Sequence, residues 1–182
     1  MRNNSLRLAM VLLVVMLSCS AVAEAEATQS DTVAVKVTVT STLSVNITED
    51  TLALGSVAAG STKVSTAAVT VTNNSSGINE TYSLSLANPS GWTASQAAAG
   101  AETYVLDAVF DADGTGITWS EANYALSTTA VASSATKFAG DQTGVSVPYN
   151  AARKLWFQFK APTATTVSTE QSIVVMVTAQ AG

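Results

Sequence analysis

Between Val33 and Ile47 the odd-numbered positions are Val33, Val35, Val37, Val39, Ser41, Leu43, Val45 and Ile47, all apolar except Ser41. The even positions, Ala34, Lys36, Thr38, Thr40, Thr42, Ser44 and Asn46, are polar apart from Ala34. A period of two predicts a β-strand with one dry face and one wet face. Unbroken, at about 3.3 Å per residue, it would reach roughly 50 Å, far beyond the usual strand of about 5–6 residues. Ser41, flanked by Thr40 and Thr42, interrupts the apolar face. The pattern therefore predicts two strands, 32–40 and 42–48, joined by a bend that lets the chain change sheets. The second is expected in the core, and the first is expected to be able to pair with another molecule.

The same alternation recurs along the chain. Ala67, Val69 and Val71 alternate with threonines until Asn73-Asn74-Ser75-Ser76-Gly77, a cluster suited to a turn. Tyr82, Leu84 and Leu86 follow, ended by Asn88-Pro89-Ser90-Gly91, so 66–87 reads as a hairpin or strand pair. Ser95 to Ala99 is long enough for one helical turn. Tyr104, Leu106, Ala108 and Phe110 mark a further strand, 117–148 is irregular with one or two short strands expected, and Leu155, Phe157 and Phe159 mark another. A polar connection from Ala161 to Gln171 leads to Ile173, Val175 and Val177. Seven to nine strands with turn signals and no long helical pattern predict an all-β fold, an antiparallel β-sandwich.

Three stretches also carry a resemblance. Leu52-Ala53-Leu54-Gly55-Ser56-Val57-Ala58-Ala59-Gly60-Ser61, Val69-Thr70-Val71-Thr72-Asn73 and Tyr82-Ser83-Leu84 resemble bacterial immunoglobulin-like domains of secreted and surface proteins, in which a Gly-x-Val-x-x-Gly loop precedes a strand ending in Thr-Asn. Leu155-Trp156-Phe157-Gln158-Phe159 with Ile173-Val174-Val175-Met176-Val177 is similar to the closing strand pair of that group. The resemblance covers about half of the chain after its leader. It implies an immunoglobulin-like sandwich and no particular chemistry, since such folds host many functions. The cysteine bridge of antibody domains is absent.

The N-terminus reads as a leader. Arg2 and Arg7 precede an apolar run from Leu8 to Leu17, too short to span a bilayer, and Ala21-Val22-Ala23 offers small residues for cleavage before Glu24. The expected organisation is a signal peptide at 1–23, a short flexible segment at 24–31 and one sandwich domain at 32–182. The leader places the protein outside the cell, at its surface or in the periplasm, and no transmembrane segment is expected in the mature chain. Cys19 is the only cysteine. Met16-Leu17-Ser18-Cys19 is a poor match to a lipoprotein signal, so a lipid anchor on Cys19 is the lesser alternative. Without Cys19 no disulfide can form.

After cleavage, six basic residues face 13 acidic ones, a net charge of −7. That balance argues against nucleic acid as a partner. The absence of histidine removes Ser-His-Asp and Cys-His catalysis and makes zinc or copper sites unfavourable. Hard-cation and carboxylate chemistry remain. Asp111, Asp113 and Thr115 lie at alternate positions of a glycine-containing loop, with Glu121 downstream, and are the candidate calcium ligands. Glu121 falls one position short of an EF-hand spacing, and an Asp-Gly turn facing water explains the same residues. No other cofactor is expected. Asp107, Asp111, Asp113 and Glu121 are the acids from which a glycosidase pair would have to come. Trp92, Trp119 and Trp156 are the candidate sugar-stacking residues, set against the usual burial of large aromatics in a core.

These readings favour a secreted, non-catalytic structural or adhesive protein of the cell surface. Its expected partners are itself or other surface proteins, engaged by strand addition through Val33, Val35, Val37 and Val39. A carbohydrate-binding module that holds polysaccharide on its tryptophans is the alternative.

Overall fold

In the computed structural model, residues 33–38 and 40–182 are described. The expected signal peptide, Cys19, the segment 24–31 and Val39 lie outside them. Val39–Gly182 forms one compact unit, of which residues 33–38 are not part. Among the described residues nine strands and one helical turn follow in order: β1 Val45–Ile47, β2 Thr62–Val64, β3 Val69–Asn73, β4 Glu80–Ala87, β5 Thr93–Ala94, β6 Thr103–Phe110, α1 Glu121–Tyr124, β7 Val131–Ala132, β8 Ala152–Lys160 and β9 Val174–Ala181. No helix among the described residues is long and apolar enough to cross a membrane.

The larger sheet runs β1-β3-β8-β6-β5, with β2 also paired to β8; the smaller runs β7-β4-β9. Every strand pair is antiparallel except the short β5–β6 contact. Inner-face residues of both sheets make one core: Val69 and Val71 of β3, Tyr82, Leu84 and Leu86 of β4, Leu106 and Phe110 of β6, and Leu155, Phe157 and Phe159 of β8. The alternation in the sequence places these side chains, because consecutive residues of a strand point to opposite faces.

The strands β2 and β3 follow one another along the same side of β8. Val64 pairs with Gln158 but Val69 pairs with Leu155, so the register slips by two residues across Ser65–Ala68. Ser65 holds the break: its N–H donates to the Phe157 carbonyl at 2.8 Å, and its hydroxyl accepts the Phe157 N–H at 3.1 Å. The interruption is a bulge, which keeps the ladder satisfied while the chain bends.

Several expectations are corrected. Residues 66–87 are not a hairpin, since β3 belongs to the larger sheet and β4 to the smaller. The crossover between them is pinned by buried Asn73, whose amide donates to the carbonyls of Ile78 and Val147, both at 2.8 Å, and whose oxygen accepts the Ser75 N–H. Likewise β8 and β9 are not a closing pair: β8 is central in one sheet and β9 pairs only with β4 in the other. Ser95 to Ala99 contains no helical turn, because Ser95 continues beside β6 through its N–H to the Tyr104 carbonyl at 2.8 Å. Of the two N-terminal strands, only the second has a counterpart, β1, held to β3. Residues 33–38, alternating in sequence, are in no strand among the described residues.

Candidate functional site

The first candidate is an edge. Of the strands that end the two sheets, β1, β5 and β7 have two or three residues, whereas β9 has eight. Within β4, Glu80, Tyr82 and Leu86 send their main-chain N–H groups away from β9, to Val147, Gly144 and Ser127. Hydrogen-bonding alternates along an antiparallel strand. The pairs Thr81↔Gln180, Ser83↔Thr178 and Ser85↔Met176 therefore carry the β4–β9 ladder. Val175, Val177 and Ala179 turn their N–H and C=O groups to the other side, where no strand pairs with them among the described residues.

The inner face of β9 is also incompletely covered. Val175, Val177 and Ala179 pack on the core but are only half-buried, while their cross-strand neighbours Leu86, Leu84 and Tyr82 are fully buried. On the other face Val174 and Met176 are 55% and 47% exposed. The strand contains no charge, proline or glycine. Those are the usual devices that keep an edge from pairing with another chain.

Residues 33–38 show the complementary character. Val33, Val35 and Val37 are 88%, 85% and 83% exposed, so three β-branched side chains at a spacing of two bury almost nothing. The segment just after them is anchored differently. The Ser44 N–H donates to the buried Glu80 carboxylate at 2.8 Å, and the Asn74 N–H donates to the Ser44 carbonyl at 2.7 Å. Glu80 thereby ties the start of β1 to the start of β4 in the opposite sheet.

The second candidate is a buried ionic cluster on the outer face of the larger sheet. Val105, Asp107 and Val109 share the face of β6 turned away from the core, and all three are fully buried. The α1 segment lies over this face, where Asp107 bridges to Ala125 and the Leu126 N–H donates to the Leu106 carbonyl at 2.9 Å. Neither Asp107 carboxylate oxygen has a hydrogen-bond partner, and the Lys160 ammonium stands 3.7 Å away, an ion pair beyond hydrogen-bonding reach. Burial pushes the Asp107 carboxyl up to about 6 against the pull of Lys160. Glu121 takes the Lys160 ammonium directly, which holds its own carboxyl below the usual range. Lys137 donates to the carbonyls of Ala122 and Ala125, each at 3.3 Å, and burial lowers its pKa.

Of the four acids considered for a glycosidase pair, the structure thus brings Asp107 and Glu121 to one cation. The signal for this was present in the sequence. Thr103–Phe110 is apolar on both faces around Asp107, which marks a strand covered on both sides and a carboxylate that cannot reach water.

The candidate calcium ligands are spent on local bonds. Asp111 accepts the N–H groups of Gly114 at 2.8 Å and Asp113 at 3.3 Å on one oxygen, and that of Asp141 at 3.3 Å on the other. Asp113 accepts both the N–H and the hydroxyl of Thr115 at 2.8 Å, which lowers its pKa. Glu121 sits at Lys160 instead of joining them. Among the described residues no three acidic, histidine or cysteine side chains gather in a group suited to a metal.

The three tryptophans do not share a platform. Trp92 packs against Phe159 and Tyr104, with ring centroids 6.0 and 6.4 Å apart, at the inner face of the larger sheet, and its indole N–H donates to Thr165. Trp156 alternates with Phe157 and so occupies the outer face. There Gly114 lies flat on its ring, and its indole N–H donates to the Asp111 carbonyl at 3.0 Å. Trp119 makes an edge contact with Tyr124 of α1. The acidic loop is the roof of Trp156, a packing role for both. A shallow hollow of about 240 Å³ beside β2, lined by Leu54, Gly55, Lys63, Val64 and neighbours, offers one ammonium and no carboxylate. No protein-family model, curated protein or solved structure matches this chain.

Proposed function

We propose that this chain is an exported, non-catalytic structural or adhesive subunit of the cell surface, built on an immunoglobulin-like sandwich, that assembles by adding its N-terminal segment to the sheet of another molecule. The observation that carries the reading is the exposure of Val33, Val35 and Val37, in a segment that belongs to no strand among the described residues. Fully burying a valine contributes about 1.5–3 kcal/mol relative to leaving it in water, so three such side chains are a substantial unused driving force. Main-chain bonds to a sheet edge would supply affinity, and the alternating valines would supply register.

Electron microscopy of the purified protein tests the reading, with and without residues 24–40. Filaments that disappear on deletion, while circular dichroism and the unfolding transition of the sandwich persist, are the expected result. Filaments that survive the deletion, or a protein that stays monomeric at every concentration, would overturn it. Global unfolding of the deletion variant would show instead that the segment completes its own domain.

A further inference from the structure

We infer that the free edge of β9 is the acceptor, and that its occupant is residues 33–38 of a second copy of this chain; the inference rests on the assembly reading above. The lengths agree: six residues extend roughly 20 Å and the eight of β9 roughly 26 Å at about 3.3 Å per residue. The spacing agrees as well. Three main-chain positions, Val175, Val177 and Ala179, face outward along the edge, and the donor has valines at three alternate positions. With its valines on the core side, the donor would cover the half-exposed inner face of β9, and Ala34, Lys36 and Thr38 would face water. The other edge strands are too short to hold six residues.

Val177 gives a selective test because its N–H points away from β4. Proline there removes a donor from the free edge and none from the β4 ladder, the placement at which an edge strand tolerates proline. Val177→Pro is expected to keep the circular dichroism of the parent and to lose filaments. Disulfide capture provides the independent arm, in protein carrying Cys19→Ser so that no other thiol exists. Equal amounts of a Val35→Cys chain and a Val177→Cys chain, mixed and oxidised, are expected to give a cross-linked heterodimer as a major species. Val35→Cys mixed with Ala132→Cys, on the short β7 edge, is expected to give none.

If Val33→Ser/Val35→Ser/Val37→Ser abolishes filaments while Val177→Pro leaves them intact and the Val35–Val177 pair does not cross-link, the acceptor lies elsewhere. In that case this inference falls and the assembly reading stands. A double Cys chain that closes only on itself would overturn the second copy as occupant. Should Val177→Pro fail to fold, the cross-linking result alone decides.

Discussion

Replacing Asp107 by asparagine is expected to stabilise the protein at neutral pH, although the substitution removes one partner of an ion pair. Asp107 is fully buried and neither oxygen is hydrogen-bonded, while Lys160 keeps Glu121 as its direct partner after the change. Burial raises the folded carboxyl from 3.8 to about 6. A carboxyl whose pKa is higher in the folded than in the unfolded chain costs stability as pH rises, because the unfolded chain releases the proton first. Below about pH 4 both states hold the proton, and the acid and the near-isosteric amide should unfold at similar denaturant concentrations. Between about pH 4 and 6 the parent loses on the order of 3 kcal/mol that the variant keeps, and above about pH 6 the difference is constant. Glu121, held low by Lys160, tilts the parent's profile the opposite way, so the difference between the two proteins is the quantity to read. Urea unfolding of both at unit steps from pH 4 to 8 measures it. A variant that matches the parent at pH 4 but is less stable at pH 7 would refute the reasoning, since the Lys160 ammonium would then outweigh burial.

Two further substitutions probe the joints of the fold. Gly114 has φ +75°, and a Cβ there would stand 2.6 Å from the Trp156 ring; Gly114→Ala should cost about 2–4 kcal/mol and shift tryptophan emission to the red as the loop lifts and water reaches the indole. Asn73→Ala removes three side-chain hydrogen bonds and leaves the buried Ser75 N–H without its acceptor, so a loss of about 2–4 kcal/mol is expected in chemical denaturation, with increased proteolysis within 74–79.

The strands were legible where one physical rule sufficed. Period-two alternation located β3, β4, β6, β8 and β9, because each buries one face against the core. It did not reveal which strands pair. Asn73-Asn74-Ser75-Ser76-Gly77 has the composition of a tight turn, yet the chain crosses there between sheets, and the cause is long-range: Asn73 reaches the Val147 carbonyl 74 residues away. For the same reason β2 escaped notice. Three residues, Thr62, Lys63 and Val64, carry no periodic signal and become a strand only because β8 offers them an edge. At the candidate sites the difference is again between type and partner. The acidic loop and Trp156 both stand out in sequence, but only their contact shows that each explains the other. Ser41 marks the change in behaviour along the N-terminal alternation: the strand after it is fixed through β3 and Glu80, and Val33, Val35 and Val37 before it are exposed.

The edges of the two sheets tie these observations together. A sandwich has no closed barrel to hide its borders, so each bordering strand must be short, charged, bulged or occupied. This chain follows the rule at β1, β2, β5 and β7 by keeping them to two or three residues. It departs from the rule at β9, with eight uncharged residues and exposed Val174 and Met176. The chain's net charge of −5 spreads repulsion over the whole molecule and places none of it on that strand. An unguarded edge on an isolated domain invites disordered aggregation, whereas the same edge occupied by a defined donor is protected by its partner. The lysine that would guard it, at Val175 or Val177, would also block a donor. Its absence from β9, in a chain that exposes Val33, Val35 and Val37 at strand spacing, is the physical ground for the proposed assembly.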